Sequence, residues 1–399
     1  MFIITNLLYS INMKNIPSFR VGNKEAFFGQ GGMGVGVSLR KLSSAVANEG
    51  GIGTIAGVGI GALKGIYKQA LEANSSLLES LGHEERKKLI EQIYINANCN
   101  ALHEEISEAK ELRNGNGILA VNIMHALSDH KQLVRTSQEA GIEMIVTGAG
   151  AFLDLPKYVD DSMLIAPIVS SEKGAKVFLK KWSKYGHPPN AIIYEGPLAG
   201  GHLGFSKEQL QDKEFRYSAL KNEIPKIVEA VKPYRTDENP IPVLGAGGIF
   251  YGGDIRTLVE LGASGAQMGT RFVTTDECDA HIGFKEQYVN CSEEDMVIID
   301  SPVGMPGSAI NNQFLQDRAD GVKNRFKCYY KCLRSCKQSD AKYCIAEALI
   351  DPQYGNFERG YAFGGANAPL CHDIVSVKTL VERLDQEYGD FTTSGSIAL

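Results

Sequence analysis

Val243-Leu244-Gly245-Ala246-Gly247-Gly248-Ile249 and, after one intervening segment, Ala266-Gln267-Met268-Gly269-Thr270-Arg271 decide the reading of this chain. Each is a short apolar run that breaks at glycine. Six earlier runs have the same character: Ala26–Gly31, Gly51–Gly57, Ile118–Met124, Met144–Gly150, Leu164–Val169 and Ala191–Gly196. Continuous apolarity over so few residues fits a strand buried on both faces, as in an all-parallel sheet. Helical spacing fills the gaps, over Leu39–Glu49, Asp129–Ala140, Ser171–Tyr185, Glu208–Val231 and Gly253–Leu261. Alternating strands and helices place the chain in the α/β class. A doubly wound open sheet would show the same local pattern. Eight runs, with the chemistry on the later ones, favour a closed (β/α)8 barrel.

The two quoted runs also predict a ligand. In such barrels the loops after the seventh and eighth strands commonly hold a phosphate. Glycine lets backbone N–H groups approach an anion, a following helix N-terminus favours negative charge, and Thr270 adds a hydroxyl. The alternative is that these glycines only shape tight turns. Two adjacent strands ending alike favour the phosphate. Gly34-x-Gly36 lacks the spacing and the acidic residue of a dinucleotide fingerprint.

After the sixth run stands Glu195-Gly196-Pro197-Leu198-Ala199-Gly200-Gly201-His202-Leu203-Gly204. A histidine at a strand's C-terminal end, flanked by glycines, faces the cavity with little cover, and imidazole transfers protons near neutrality. His202 is therefore the candidate catalytic residue. His83, His103, His125, His130 and His187 fall on helix-like or loop segments and read as structural.

Composition sets the bounds. The chain has 399 residues, enough for a barrel with additions, and hydrophobic residues make up 43%. A net charge of −6 gives no electrostatic reason for a nucleic-acid partner. No run is long and apolar enough for a transmembrane helix. The apolar start lacks the marks of a secretion signal, and Met13 is an alternative first residue. Eight cysteines without such a signal point to free thiols and a cytoplasmic location.

Three blocks are expected: an N-terminal extension over 1–25, the cofactor-binding barrel over 26–272, and a C-terminal lid or helical extension over 273–399. Residues 58–116 read as an insertion, within which Leu71–Asn98, rich in Leu, Glu and Lys at helical spacing, adds two or three helices outside the barrel. In the last block Cys328, Cys332 and Cys336 have the spacing of one helix face, with Cys344 beyond. That spacing matches neither the common zinc nor the ferredoxin patterns, so no metal is assigned. Tyr361–Ala368, rich in small residues, is a candidate for the pocket mouth or for a plain turn.

Taken together, several pieces resemble the nitronate monooxygenase (2-nitropropane dioxygenase-like) family, whose superfamily includes the flavin-dependent enoyl-acyl-carrier-protein reductases. They are Gln30-Gly31-Gly32-Met33, Ala45–Gly53, Val121-Asn122-Ile123-Met124, Thr147-Gly148-Ala149-Gly150, Glu195-Gly196 with Ala199–His202, Gly247-Gly248-Ile249, and Gln267-x-Gly269-Thr270-Arg271-Phe272. They occur in family order. The resemblance implies a (β/α)8 barrel with non-covalent FMN. Gly32 and Met33 would lie against the isoalloxazine, and Asn122 would hydrogen-bond it. Glu195 stands where Gln is frequent, and Gly200 and Gly201 would approach through backbone. Gly247, Gly248, Gln267, Met268, Gly269 and Thr270 would hold the phosphate and ribityl chain. His202 would be the base that helps oxidise alkyl nitronates with dioxygen to a carbonyl compound and nitrite. Leu203 departs from the Arg found in many nitronate enzymes, and the 121–124 and 147–150 pieces are closer to the enoyl reductase branch. The alternative is thus an NAD(P)H-dependent reductase acting on an enoyl thioester or quinone. Expected partners are a small-molecule substrate and neither nucleic acid nor membrane; a homodimer is left open.

Overall fold

A computed structural model describes residues 13–390 apart from 324, 325, 327, 329 and 335. Eight parallel strands close into a barrel: Gly29–Gln30, Ile52–Ala56, Ile118–Met124, Met144–Gly148, Leu164–Val169, Ile192–Glu195, Val243–Ala246 and Gly265–Met268. The eighth pairs with both the seventh and the first, at Ala246↔Gln267 and Met268↔Gln30, which seals the cylinder. Seven of the eight expected apolar runs contain one of these strands, and the eighth overlaps Gly265–Met268, which begins one residue earlier.

Their double-sided burial has the predicted cause. In the third strand Ile118 and Ala120 join an inner cluster with Met144, Val146, Ile193 and Leu244. Leu119 and Val121 join the outer cluster with the helices. A period of two thus feeds two cores, so both positions must be apolar. A hairpin of Phe19–Val21 and Lys24–Ala26 packs its Phe19, Val21 and Ala26 onto the inner cluster near the strand beginnings. That plugs the end opposite the strand C-termini.

The outer helices Arg40–Asn48, His130–Glu139, Glu172–Ser183 and Gly252–Glu260 stand within a residue or two of expectation. The segment expected as one helix over 208–231 is two, Lys207–Gln211 and Lys213–Val231. Asp212 ends the first and caps the second, its carboxylate accepting from Phe215 N at 3.1 Å. The insertion holds four helices, Ile60–Leu63, Ile66–Ala73, Ser75–Ser80 and His83–Leu112, and the last three run through the 71–98 stretch expected to be helical. The last is no outside appendage over its second half, because Ala101, Leu102, Ile106 and Ala109 are buried in the main core.

The C-terminal block differs most from expectation. It is not purely helical. Strands Met296–Asp300 and Pro306–Ile310 form an antiparallel hairpin, and the second pairs with a short strand at Gly201–His202 through Gly307↔His202 and Ser308↔Gly201. The cysteine stretch is not a helix among the described residues. Cys328, Cys332 and Cys336 lie in irregular chain, and Cys344 precedes helix Ile345–Gln353. A four-residue spacing alone does not make a helix. This stretch instead makes loop contacts, with Leu333 bridging Leu127 and the Cys332 carbonyl accepting from Ser128 N at 3.0 Å. The final helix, Val377–Asp390, returns to the barrel. Its Asp385 carboxylate accepts from the N–H groups of Lys14, Asn15 and Ile16 at 2.9–3.1 Å, stapling residues 14–16 to this helix. No described helix is long and apolar enough to cross a membrane.

Candidate active site

The strand C-termini open into one cavity of about 250 Å³. Its wall includes Gly32, Met33, Asn122, Glu195, Gly200, Gly201, His202, Gly247, Gly248, Gln267, Met268, Gly269 and Thr270. Every residue singled out for cofactor or catalysis thus faces the same space.

The two glycine turns are neighbours because the strands that carry them are paired. Ala246 is in register with Gln267, so the chain leaves both strands side by side. Gly247 and Gly248 have φ of 90° and 84°, a region L side chains rarely enter. A Cβ on Gly247 would stand 2.8 Å from the Gly196 carbonyl oxygen and 2.9 Å from Ala199 N. The turn after the seventh strand therefore leans on the loop after the sixth, the loop that presents His202.

His202 is held from two sides. Its Nε2 lies 2.7 Å from Ser301 Oγ, and its ring meets Phe363 edge to face with centroids 4.9 Å apart. Ser301 Oγ already accepts from Val303 N at 3.3 Å, which fixes the hydroxyl in place. Where Nε2–H donates to that oxygen, the lone pair stays on Nδ1, free to accept a proton. Burial pushes the imidazole pKa down to about 4, so the ring is neutral at ordinary pH.

Glu195 presents the opposite case. Burial raises its carboxyl to about 7, and no charged neighbour offsets the shift. No lysine, arginine or aspartate contributes to the cavity wall among the described residues.

Asn122 completes the barrel side. Its Oδ1 is buried without a hydrogen-bond partner, a state rare in native proteins and consistent with an atom kept for a ligand. Below it, Gln30 is fully buried and its Oε1 accepts from Thr54 N at 2.9 Å, tying the first strand to the second. Met33 N donates to Ser38 Oγ at 2.8 Å, which shapes the loop over the first strand.

The far wall comes from the C-terminal block. Tyr288, Tyr361, Phe363, Gly364, Gly365 and Asn367 all line the cavity. The 361–368 stretch is therefore cavity wall and not merely a turn. It is sewn to both glycine turns: Gly365 N donates to Thr270 Oγ1 at 3.0 Å, and Asn367 Nδ2 donates to the Gly248 carbonyl at 2.6 Å. Sequence reasoning missed Ser301 and Tyr288. Nothing local marks Asp300-Ser301-Pro302; only the pairing of Pro306–Ile310 with Gly201–His202 brings that serine to the imidazole. His125 stacks on Phe152 and His130 meets that ring edge to face, and neither histidine lines the cavity.

Comparison with known proteins agrees with this layout. Two solved structures superpose over nearly the whole chain. FabK from Thermotoga maritima covers 93% of this chain and 94% of its own at a TM-score of 0.64 and 23% identity. The nitroalkane oxidase from Streptomyces ansochromogenes covers 92% and 97% at 0.63 and 19%. At such identities they support the fold alone. A curated relative, a probable nitronate monooxygenase of Staphylococcus aureus (strain Newman), is 33% identical over 129 residues, 32% of this chain. The match spans about a third of that relative's length. The family model for nitronate monooxygenase matches residues 23–387, which takes in the barrel, the glycine turns, His202 and the C-terminal wall. With that span matched end to end, the chain belongs to the nitronate monooxygenase family.

Proposed function

We propose that the protein is an FMN-dependent oxidoreductase that oxidises alkyl nitronates with dioxygen to a carbonyl compound and nitrite, with His202 as base. One observation carries the reading: two adjoining glycine turns and a buried neutral imidazole share one cavity. The residues fit the cofactor. The turns at Gly247–Gly248 and Gly269–Thr270 offer the backbone cradle a phosphate needs. Asn122 Oδ1 waits unpaired for a donor such as a ring N–H. Gly32, Met33, Gly200 and Gly201 provide a wall that a flat ring can approach closely. When bound, FMN supplies the electron acceptor that none of the twenty side chains provides.

The rest falls to the chain. His202 takes the proton from the carbon beside a nitro group, or orients the anion once formed. Ser301 engages the imidazole at Nε2, which leaves Nδ1 as the nitrogen available for the proton. Phe363 packs edge to face on the imidazole, with Tyr361 behind it, and this apolar cover preserves the neutral form of the ring. Replacing His202 by Ala is expected to cut turnover of the neutral nitroalkane about 100-fold or more while sparing the preformed nitronate. Equal loss on both substrates removes the base role.

A second reading has its own support. Leu203, the residue after His202, is buried against Ala199, Leu210 and Phe205 and brings no charge to the cavity. With no described cation on the wall, an anionic substrate gains little there. This favours a reductase in which NAD(P)H supplies hydride and the acceptor is a neutral enoyl thioester or quinone. Flavin reduction without oxygen, followed with NADH, NADPH and a nitronate in parallel, decides. Rapid bleaching by a pyridine nucleotide selects the reductase; bleaching by the nitronate alone selects the monooxygenase.

A further inference from the structure

A second cavity, of about 470 Å³, lies on the outer side of the barrel, between the start of helix Glu172–Ser183 and helix Lys213–Val231. It shares no lining residue with the cavity described above. The chain after the sixth strand separates the two. His202 lines the first, Gly204 and Phe205 line the second, and Leu203 between them is buried.

Tyr194 forms the floor of this outer cavity. Side chains alternate along a strand, and Ile193 joins the inner cluster, so Tyr194 points outward into this space. Tyr194 is 0% exposed, yet its hydroxyl has no hydrogen-bond partner among the described residues. A buried phenol usually has a partner, so an unpaired one marks a place for a ligand atom. Burial, and after it the nearby Glu223 carboxylate, raises the phenol pKa, so the hydroxyl keeps its proton and stays a donor.

The walls define the chemistry of that ligand. Besides Tyr194, the described residues on the wall bring only two ionisable side chains, Glu223 and Lys226, which pair at 2.8 Å and cancel. An anion would meet Glu223, whose carboxylate already takes the Glu172 N–H at the helix start, at 2.7 Å. A cation would meet Lys226. A neutral group meets no such repulsion. Beside the Tyr194 donor stands a carboxylate with lone pairs to spare, so a group carrying one acceptor and one donor side by side is matched. A planar primary amide is such a group. Phe205 and Phe215, edge to face with centroids 5.8 Å apart, supply an apolar wall for a ring.

We propose that this cleft is a second ligand site and that it takes a small neutral aromatic amide. The amide oxygen accepts from the Tyr194 hydroxyl, the amide N–H donates to Glu223, and the ring packs on Phe205 and Phe215. The site stands whether or not the cofactor reading holds.

Three probes of one shape and different charge test this: benzamide, benzoate and benzylamine, titrated against the full-length protein and followed by saturation-transfer NMR. Benzamide is expected to bind saturably with a Kd of about 1 mM, and both ions about tenfold more weakly. Absence of saturable benzamide binding, or equal binding of either ion, overturns the proposal.

Tyr194→Phe removes only the hydroxyl, and benzamide affinity is expected to fall about tenfold. Its Tm should hold or rise, because a buried hydroxyl without a partner is a cost. Unchanged affinity overturns the proposal. So does a clear fall in Tm, which would reveal an internal partner for the hydroxyl. Asn222→Trp places bulk on an exposed lip of the same cleft and should abolish binding, a result that decides even if Tyr194→Phe does not fold. His202→Ala should leave benzamide affinity unchanged; loss there puts the amide in the inner cavity and overturns the second site.

Discussion

The two walls of the cavity are built on different principles. The barrel wall is made of strand ends and the turns that follow them. There the backbone does the work, and side chains are small or absent at Gly247, Gly248 and Gly269. The C-terminal wall is made of side chains, among them Tyr288, Tyr361, Phe363 and Asn367, delivered by segments distant in sequence. Ser301, a hydrogen bond away from His202, belongs to the same block. The first wall suits the holding of an anion and a flat ring. The second covers and orients. A fold can therefore keep its cofactor site while changing its substrate, because the two are carried by separate stretches of chain.

That division can be broken by experiment. The largest effect is expected from Gly247→Val on the barrel wall. The φ of 90° and the carbonyl 2.8 Å away leave no place for a Cβ, and the cost is on the order of 3 kcal/mol. The variant should purify without flavin and with a lowered Tm. Retention of stoichiometric flavin would mean that the turn does not hold the cofactor.

The next largest is a shift in pH dependence produced from the opposite wall. On the proposed mechanism His202 acts as the neutral imidazole, and burial lowers its pKa from 6.5 to about 4. Acidification should therefore leave kcat/KM intact until pH falls to about 4. Phe363→Ala uncovers the ring, so the acid limb should move up toward about 6.5, with flavin content unchanged. A limb that stays where it was shows that the aromatic wall does not set the basicity of His202.

The smallest effect is expected from Ser301→Ala. One hydrogen bond contributes about 0.5–1.5 kcal/mol, so kcat should fall roughly two- to tenfold. Bound flavin and Tm should be nearly unaffected. If flavin is lost as well, the two walls are not separable and the comparison collapses.

The two walls were also unequally legible. Eight apolar runs announced the eight strands because a strand buried on both faces has no alternative composition. The turn at Gly247–Gly248 was readable because positive φ at consecutive positions selects glycine. His202 stood out by its glycine neighbours. The insertion was harder. Its long helix His83–Leu112 is amphipathic only over part of its length, so periodicity could not say that its second half joins the barrel core. The Cys328–Cys336 spacing misled for the opposite reason. A period close to four is necessary for a helical face but is equally compatible with irregular chain, here with Cys332 packed against the Tyr67, Ile93, Tyr94 and Ala97 cluster of neighbouring helices.

The sequence by itself determined the α/β class, the eight buried strands and the turns that only glycine can make, since these follow from local periodicity and from the stereochemistry of single residues. Only the tertiary structure decided what stands opposite. The contacts of Ser301 and Phe363 with His202, and of Asn367 with Gly248, join residues roughly a hundred or more positions apart. Such contacts depend on how the C-terminal hairpin pairs with Gly201–His202, and no property of those residues taken alone encodes that pairing.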